Sequence, residues 1–250
     1  MPEGPHMVFL KEQLEPYIGQ PVIKATGDAK NIPFDLLAGQ PLITIETFGK
    51  ELFFIFPAFA VRIHLMLFGK YAINGKLNRT LRLGLRFESG EEINFYACDC
   101  RFLSEPLDNV YDWRTDVLHP SFDPAIALAK LQQQPQKLIC EALLDQSILA
   151  GVGNGIKNEV LFRNQIHPES QVGEISAVVL QKLVQACVMQ SDAYLHWKQA
   201  GMEGEHWQVY KQKLCPRDDI PLRKEKIGKS RRTSYFCDKC QHLYLPDVTE

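Results

Sequence analysis

Residues 143–162 read LLDQSILAGVGNGIKNEVLF, which places a turn with two closely spaced glycines between two segments of helical pattern. We expect one helix to end near Gln146 and another to open after the turn Gly151-Val152-Gly153-Asn154. Backbone N–H groups at such a helix N-terminus suit a phosphate oxygen, and Asn154 either adds a side-chain donor or caps the helix. Two glycines at this spacing usually form no more than a tight turn. Between two helices and upstream of a basic segment with cysteines, the pattern predicts a helix–two-turns–helix segment that contacts a DNA backbone without reading its sequence.

The chain on either side of this segment divides into a β-rich part and a helical part. From Asp123 onward the apolar residues recur at helical spacing, whereas residues 20–103 carry short β-rich runs separated by Gly, Pro, Asn and charged turns. One amphipathic helix is predicted at 7–18. The seven β-rich runs, typical of a β-sandwich or barrel, are PVIKATG, LITIETF, ELFFIFP, AVRIHLML, KYAIN, LRLGLRFE and EINFYA.

These patterns predict an α+β multi-domain protein. We expect a β-sandwich domain with an N-terminal helix at 1–105 and a linker at 106–122. A helix–two-turns–helix domain follows at 123–202, and a zinc-finger-like β-hairpin ends the chain at 203–250.

Composition and charge narrow the class of protein. The chain has 45% hydrophobic and 23% charged residues, which is typical of a globular protein, and it has no signal peptide pattern and no apolar run long enough to span a bilayer. Seven cysteines, an odd number, argue against a disulfide scaffold, so we expect a cytoplasmic protein. Residues 209–240 hold ten basic and four acidic side chains, a net charge of +6 on a body of −8, which is compatible with phosphate binding.

Four residues of this basic segment have the spacing of metal ligands. Cys237 and Cys240 form a CxxC pair, and the expected second pair reads Cys215-Pro216-Arg217-Asp218, so that Asp218 stands where a fourth thiolate is usual. Three thiolates and one carboxylate can bind zinc, although four thiolates are more usual in a structural site. The sequence leaves open whether zinc or packing alone holds the hairpin.

The N-terminus, MPEGPHMVF, suggests a nucleophile. Removal of Met1 would leave Pro2 with a free secondary amine, and an α-amino group has a pKa of about 7.7–8.0, so a useful fraction is uncharged at neutral pH. Such an amine can attack an aldehyde carbon to form a Schiff base, and Glu3 would place a carboxyl beside it. By itself a proline at position 2 usually means no more than an extended leader.

Three motifs together resemble one family. The motifs occur in a fixed order and span nearly the whole length of the chain: MPEGP, then AGVGN with NEVLFRNQIHP, then SRRTSYFCDKCQ. The chain resembles the formamidopyrimidine-DNA glycosylase/endonuclease VIII family of base-excision repair enzymes. The resemblance implies that Pro2 attacks C1′ of the damaged nucleotide and that Glu3 protonates the deoxyribose ring oxygen. The residues that it assigns to DNA contacts are Lys50, Asn154 and Arg232 on phosphates, with Met66, Leu67 and Phe68 as a wedge in the duplex.

A further pair, Arg101-Phe102, partly resembles another void-filling element, with a local spacing that is off by one. General physics supports these assignments, because a base extruded from the stack leaves a space that an apolar side chain must fill. Each assignment has a structural alternative: Lys50 as a surface cation, Leu67 as a core residue and Asn154 as a plain helix cap.

The family implies a bifunctional glycosylase and AP lyase that cleaves by β- and δ-elimination without a metal or cofactor in catalysis. We expect a monomer acting on double-stranded DNA with a damaged base or abasic site, with no membrane partner. The expected location is cytoplasmic, of bacterial type and nucleoid-associated when acting.

Three departures affect this interpretation. His6 replaces the family's usual acid, Asp218 replaces a thiolate, and AGMEGEHWQVY at 200–210 is short for a loop that caps oxidised purines. The short loop and the wedge favour the endonuclease VIII branch and oxidised pyrimidines. Two alternatives remain: a catalytically impaired paralogue that binds damaged or abasic DNA, and a zinc-ribbon interaction module, which would leave the N-terminal motif unexplained.

Overall fold

A computed structural model of the chain describes residues 2–203 and 205–246. Two compact units divide the chain between Asp112 and Trp113, with Pro2 in the first unit and Glu3–Pro5 in the second. The described residues do not include Met1, residue 204 and residues 247–250. Residues 204 and 247–250 belong to the predicted hairpin domain. The predicted domain boundaries stay a prediction, although the division falls inside the stretch 106–122 that we expected to be a linker.

Helix α1 spans Gly4–Leu14 and continues as a 3₁₀ turn at Glu15–Tyr17. The sequence predicted one helix over 7–18, which was wrong at both ends. A proline fits the first turn of a helix, so Pro5 lets α1 begin earlier, whereas Pro16 lacks an N–H and ends the α-helical pattern. The buried side chains Met7, Leu10, Leu14 and Tyr17 line one face, and they belong to the core of the first unit.

The first unit consists mainly of two four-stranded antiparallel sheets, ordered β1-β6-β7-β5 and β2-β3-β4-β8. Both sheets contribute to one apolar core. A short helix, α2 (Phe34–Leu37), follows the first strand. The strands are β1 (Val22–Thr26), β2 (Thr44–Phe48), β3 (Glu51–Ile55), β4 (Ala60–His64), β5 (Lys70–Ile73), β6 (Leu81–Phe87), β7 (Glu92–Tyr96) and β8 (Asp99–Leu103).

Seven of these strands coincide with the β-rich runs of the sequence, but β8 was not predicted. Its sequence, DCRFL, alternates polar and apolar residues over only four positions, which gives a weak strand signal. Pairing with β4 supplies the missing stabilisation, because Asp99 bonds to Arg62 across the strands at 2.7 Å. A tertiary ion pair of this kind leaves no periodic signal in the sequence.

The second unit is helical and ends in a hairpin. Its helices are α3 (Pro124–Gln132), α4 (Ile139–Ala142), α5 (Asn154–Arg163) and α6 (Ala177–Gln199), and its hairpin pairs β9 (Arg223–Ile227) with β10 (Arg232–Phe236). No helix within the described residues is both long and apolar enough to cross a membrane.

The helix before the glycine turn ends earlier than the sequence predicted. We expected it to reach Gln146, but α4 ends at Ala142. The side chain of Gln146 instead closes the irregular stretch that follows, because its Oε1 accepts the N–H of Gly151 and its Nε2 donates to the carbonyl of Val152, both at 3.1 Å. A side chain that bonds local backbone groups in this way competes with the helix.

Candidate functional site

The N-terminus of α5 holds the carboxylate of Glu3. Glu3 is only 3% exposed, and its Oε1 and Oε2 accept the N–H groups of Gly155 at 2.7 Å and Ile156 at 3.2 Å. The sequence predicted that N–H groups at this helix N-terminus suit a phosphate oxygen, and two of them bind the Glu3 carboxylate. The helix dipole and two free N–H groups favour an anion here, and the chain supplies its own.

Gly153 makes this approach possible. Its φ is −115°, so its backbone conformation does not require glycine. A Cβ added at this position would overlap Cγ and Cδ of Glu3. Close packing against the Glu3 side chain, rather than turn geometry, is therefore what excludes a larger residue at position 153.

Asn154 lies at the first position of α5 and contacts the hairpin. Gly153 is the N-cap residue, so the interpretation of Asn154 as a plain cap is wrong. Its Nδ2 donates to the carbonyl of Thr233 at 2.8 Å, and its Oδ1 has no hydrogen-bond partner among the described residues. Asn158, one turn later, donates to the same carbonyl at 3.4 Å and accepts the N–H of Tyr235 at 2.9 Å.

Lys157 completes this connection between α5 and β10. The side chain is fully buried, and Nζ donates to Oγ of Ser234 at 2.8 Å. Burial lowers the pKa of the ammonium to about 8, against opposing contributions from Cys140 and Glu3 and a further lowering by Arg232. Arg232 itself is the first residue of β10, so three polar side chains of α5 fix the strand that presents it.

Aromatic side chains surround the same helix end. A Cβ added at Gly155 would lie 3.3 Å from the Trp207 ring, and Trp207 contacts Tyr194 and Tyr210 edge to face with ring centroids 4.6 and 5.5 Å apart. Burial and then the Glu3 carboxylate raise the pKa of Tyr210 to about 12. The Tyr210 phenol therefore stays protonated at neutral pH.

A second buried carboxylate, Glu159, anchors the segment that carries these aromatic residues. Its two oxygens accept three consecutive backbone N–H groups, those of Gln208, Val209 and Tyr210, at 3.0, 2.8 and 2.9 Å. Glu159 is fully buried, so these bonds form away from solvent and hold the segment firmly to α5.

Sequence reasoning missed Lys157, Asn158 and Glu159. Charged residues on a helix usually form a solvated face, so residue type alone does not indicate burial of Lys157 and Glu159. In the structure every residue from 154 to 162 is buried. The detectable signal was the position of KNE between a glycine turn and the apolar run VLF, where a solvent face has little room.

In the first unit, Pro2 is half-buried and precedes Glu3 by one peptide bond. Lys50 lies in the two-residue turn between β2 and β3, after Gly49 with its positive φ of +55°. His64 on β4 lies opposite Glu51 in the antiparallel register with β3. Burial, together with the positive charges of Arg62 and Lys50, lowers the pKa of His64. His6, the residue in place of the family's usual acid, is half-buried in the first turns of α1.

The predicted wedge forms an exposed apolar turn between β4 and β5. Met66, Leu67 and Phe68 are 51%, 47% and 75% exposed, so the interpretation of Leu67 as a core residue is wrong. The N–H of Gly69 donates to the carbonyl of Leu65 at 2.7 Å and closes the turn, and a Cβ at Gly69 would overlap that carbonyl. Three large apolar side chains facing water on one tight turn are suited to insertion between bases.

Arg101 is exposed on β8 and is tied to its own strand. Its Nε donates to Asp99 at 3.0 Å, and the same carboxylate oxygen binds Arg62 at 2.7 Å. Phe102 packs on Phe59, with ring centroids 4.9 Å apart. The predicted DNA contact of Arg101 stays a prediction.

The four predicted metal ligands come together at the hairpin. The ligand atoms of Cys215, Asp218, Cys237 and Cys240 all lie within 4.8 Å of one another, and the sulfurs of Cys215 and Cys240 are 3.8 Å apart. Tetrahedral zinc with Zn–S bonds of about 2.3 Å requires sulfurs about 3.8 Å apart, so the donor set fits this geometry. Lys239 contacts Asp218 at 3.2 Å, and Arg217 donates to Cys240 at 3.5 Å, which offsets the anionic ligands.

Comparison with known proteins agrees with this architecture. Residues 115–194 match the formamidopyrimidine-DNA glycosylase H2TH domain. The chain is 32% identical to endonuclease 8-like 3 of Xenopus laevis over 82% of its own length and 35% of that protein. It is 37% identical to human endonuclease 8-like 2 over 64% of its own length and 47% of that protein, so the chain spans less than half of each relative.

Solved structures share the whole fold. The structure of the Lactococcus lactis formamidopyrimidine-DNA glycosylase bound to abasic-site DNA aligns with a TM-score of 0.84 at 23% identity, over 96% of this chain and 99% of that one. A viral DNA glycosylase aligns with the same score at 18% identity, over 96% of this chain and all of that one.

The two-sheet unit, the helix–two-turns–helix segment and the C-terminal hairpin therefore define the formamidopyrimidine-DNA glycosylase fold, which confirms the predicted fold class. The match of residues 115–194 to the H2TH domain and the identity to endonuclease 8-like proteins add similarity of sequence to similarity of fold. The chain belongs to the formamidopyrimidine-DNA glycosylase/endonuclease VIII family and resembles its endonuclease VIII-like members.

Proposed function

We propose that this chain is a DNA repair glycosylase with AP lyase activity, which excises oxidised bases from duplex DNA. The observation that carries the proposal is the Glu3 carboxylate, buried and held by the N–H groups of Gly155 and Ile156 one residue after Pro2. A protein that only bound DNA would have no chemical need for an N-terminal proline followed by a buried, fixed carboxylate. The endonuclease 8-like relatives support the same activity.

In the proposed reaction the uncharged amine of Pro2, exposed once Met1 is removed, attacks C1′ of the damaged nucleotide. The bond between C1′ and the base breaks, and the base leaves with the bonding electron pair and takes a proton from water. The Glu3 carboxylate takes up the proton that the Pro2 nitrogen loses after it bonds to C1′, and delivers that proton to the ring oxygen as the sugar opens to a Schiff base. The Schiff base acidifies C2′–H, and loss of that proton expels the 3′ phosphate by β-elimination. Loss of a second proton, from C4′, then expels the 5′ phosphate by δ-elimination.

The DNA contacts in this proposal fall on the hairpin strand β10, on helix α5 and on two turns of the first unit. Arg232 begins a strand fixed by Asn154, Lys157 and Asn158, and an arginine suits bidentate contact with a phosphate. Asn154 retains a second N–H on its amide for another phosphate. Lys50 supplies a further cation, and Met66, Leu67 and Phe68 would fill the space that the extruded base leaves. The partner is double-stranded DNA, bound by a monomer.

Strand cleavage separates this function from its alternative, a paralogue that binds damaged or abasic DNA without excision, which His6 in place of the family's acid would favour. We expect the protein to release an oxidised pyrimidine from a 5′-labelled duplex and to cut the strand at that position. The same duplex carrying an oxidised purine should react more slowly, because the 200–210 segment is short. Binding of the lesion duplex without base release or cleavage would establish the paralogue instead.

We further propose that Cys215, Asp218, Cys237 and Cys240 hold a structural zinc ion that shapes the hairpin carrying Arg232. The donor spacing fits tetrahedral coordination, and zinc would supply folding energy rather than reaction chemistry. The alternative, a hairpin held by packing alone, predicts that metal removal has no effect on folding.

Zinc analysis and thermal unfolding test this site. We expect about one zinc ion per chain, and a strong chelator should lower the melting temperature by about 5–15 °C, since the ion binds only the folded hairpin. Asp218→Asn should lose the zinc, whereas Asp219→Asn, at the exposed neighbouring carboxylate, should keep it. Full stability of zinc-free protein in the presence of chelator would show that packing alone holds the hairpin.

A further inference from the structure

Lys157 is an unusual cation, because it is fully buried and pairs with a hydroxyl rather than a carboxylate. Within the described residues its hydrogen bond goes to Oγ of Ser234, which is itself fully buried in β10. Ser234 lies two residues after Arg232, and Lys157 lies one residue after the two amides that hold Glu3. One buried charge therefore connects the two elements that the proposed function uses.

The charged and titratable groups around Lys157 come from three other elements. Cys140 faces it from α4, Glu3 from the N-terminal segment and Arg232 from β10. The neighbouring guanidinium repels the ammonium, while the Glu3 carboxylate attracts it. A DNA phosphate bound by Arg232 would add a second attracting charge, since electrostatic effects reach further in a poorly hydrated interior than in water.

We propose that Lys157 is a positioning residue for DNA binding, which locks β10 onto α5 and strengthens through its charge the attraction of Arg232 for a phosphate. This inference rests on the proposed function, because it presumes that the hairpin binds DNA. It assigns Lys157 no role in the chemical step.

The proposal has a consequence for pH. In the free protein the ammonium has a pKa of about 8, which burial sets. A phosphate near Arg232 favours the charged form and raises this pKa in the complex. Binding then takes up a proton, and by linkage the affinity is highest below pH 8 and falls as the pH rises through 8.

Binding to a duplex with a stable abasic-site analogue, tetrahydrofuran, measures this effect without catalysis. Between pH 7 and pH 9 the wild-type affinity should fall about three- to tenfold more than that of Lys157→Met or Lys157→Arg, the range that one linked proton allows. Both variants remove the titration, and only Lys157→Arg keeps the charge. All three proteins share the N-terminal amine, so its titration cancels in the comparison.

Lys182→Met, at an exposed position of α6, serves as the control and should keep the wild-type pH profile. If Lys157→Met fails to fold, Lys157→Arg decides the question. A pH profile in the folded variants equal to that of wild type would overturn the role of Lys157. Absence of duplex binding by wild type at pH 7 would instead contradict the proposed function, so the two failures are distinguishable.

Discussion

Glu3→Gln is expected to slow base excision by about 10²–10⁴-fold in single-turnover assays, the range typical of a lost general acid. The amide cannot give a proton to the opening sugar ring. Its oxygen can still accept the N–H of Gly155, but its NH₂ group would face the N–H of Ile156. Duplex binding should persist, because Asn154, Lys50 and Arg232 are unchanged.

Glu15→Gln is the matched control, since Glu15 is an exposed acid in the 3₁₀ turn after α1. It should leave the excision rate within twofold of wild type, by the usual small effect of a surface change. An excision rate for folded Glu3→Gln within tenfold of wild type would remove Glu3 from the proposed proton transfer.

Gly153→Ala should also abolish most base excision, although residue 153 has no functional group. The new methyl would overlap Cγ and Cδ of Glu3 and push the carboxyl away from the two amides of α5. A misplacement of about 1 Å can cost about 100-fold in rate, so we expect a loss of at least that size. Because φ at this position is −115°, the backbone itself tolerates alanine.

Alanine substitutions at two other glycines should slow base excision less than Gly153→Ala. Gly155→Ala places its Cβ 3.1 Å from Oε1 of Glu3, so it should have an intermediate effect. Gly75→Ala, with no atom nearer than 3.8 Å, should have none. Equal excision rates for Gly153→Ala and Gly75→Ala would show that the position of the Glu3 carboxyl does not limit the reaction.

The parts of the fold that sequence reasoning predicted are those with local periodicity. Seven of the eight strands in the first unit carry β-rich runs, and the four helical segments of the second unit carry apolar stripes. The eighth strand and the early end of α4 escaped prediction because partners outside each segment determine them. Asp99 bonds to Arg62 across a sheet, and Gln146 bonds to the backbone of Gly151 and Val152.

In the candidate site too, residues in local motifs were predicted and residues with distant partners were missed. Motif spacing predicted that Cys215, Asp218, Cys237 and Cys240 belong together, and the structure groups them. Nothing local indicated that Glu3 would bind amides 152 residues further along the chain. The partner of Lys157 was missed for a related reason, since Ser234 lies 77 residues away in the sequence.

Borohydride trapping on an abasic-site duplex tests the central claim most directly, with the N-terminal residue of each protein verified by mass. Protein that begins at Pro2 should form one covalent adduct per chain, because reduction fixes the Schiff base. Protein that keeps Met1 should bind the duplex and form none, since its Pro2 nitrogen is part of a peptide bond and cannot attack C1′. Equal adduct from both proteins, or none from protein that begins at Pro2 and binds the duplex, would contradict the assignment of the Pro2 amine as the nucleophile.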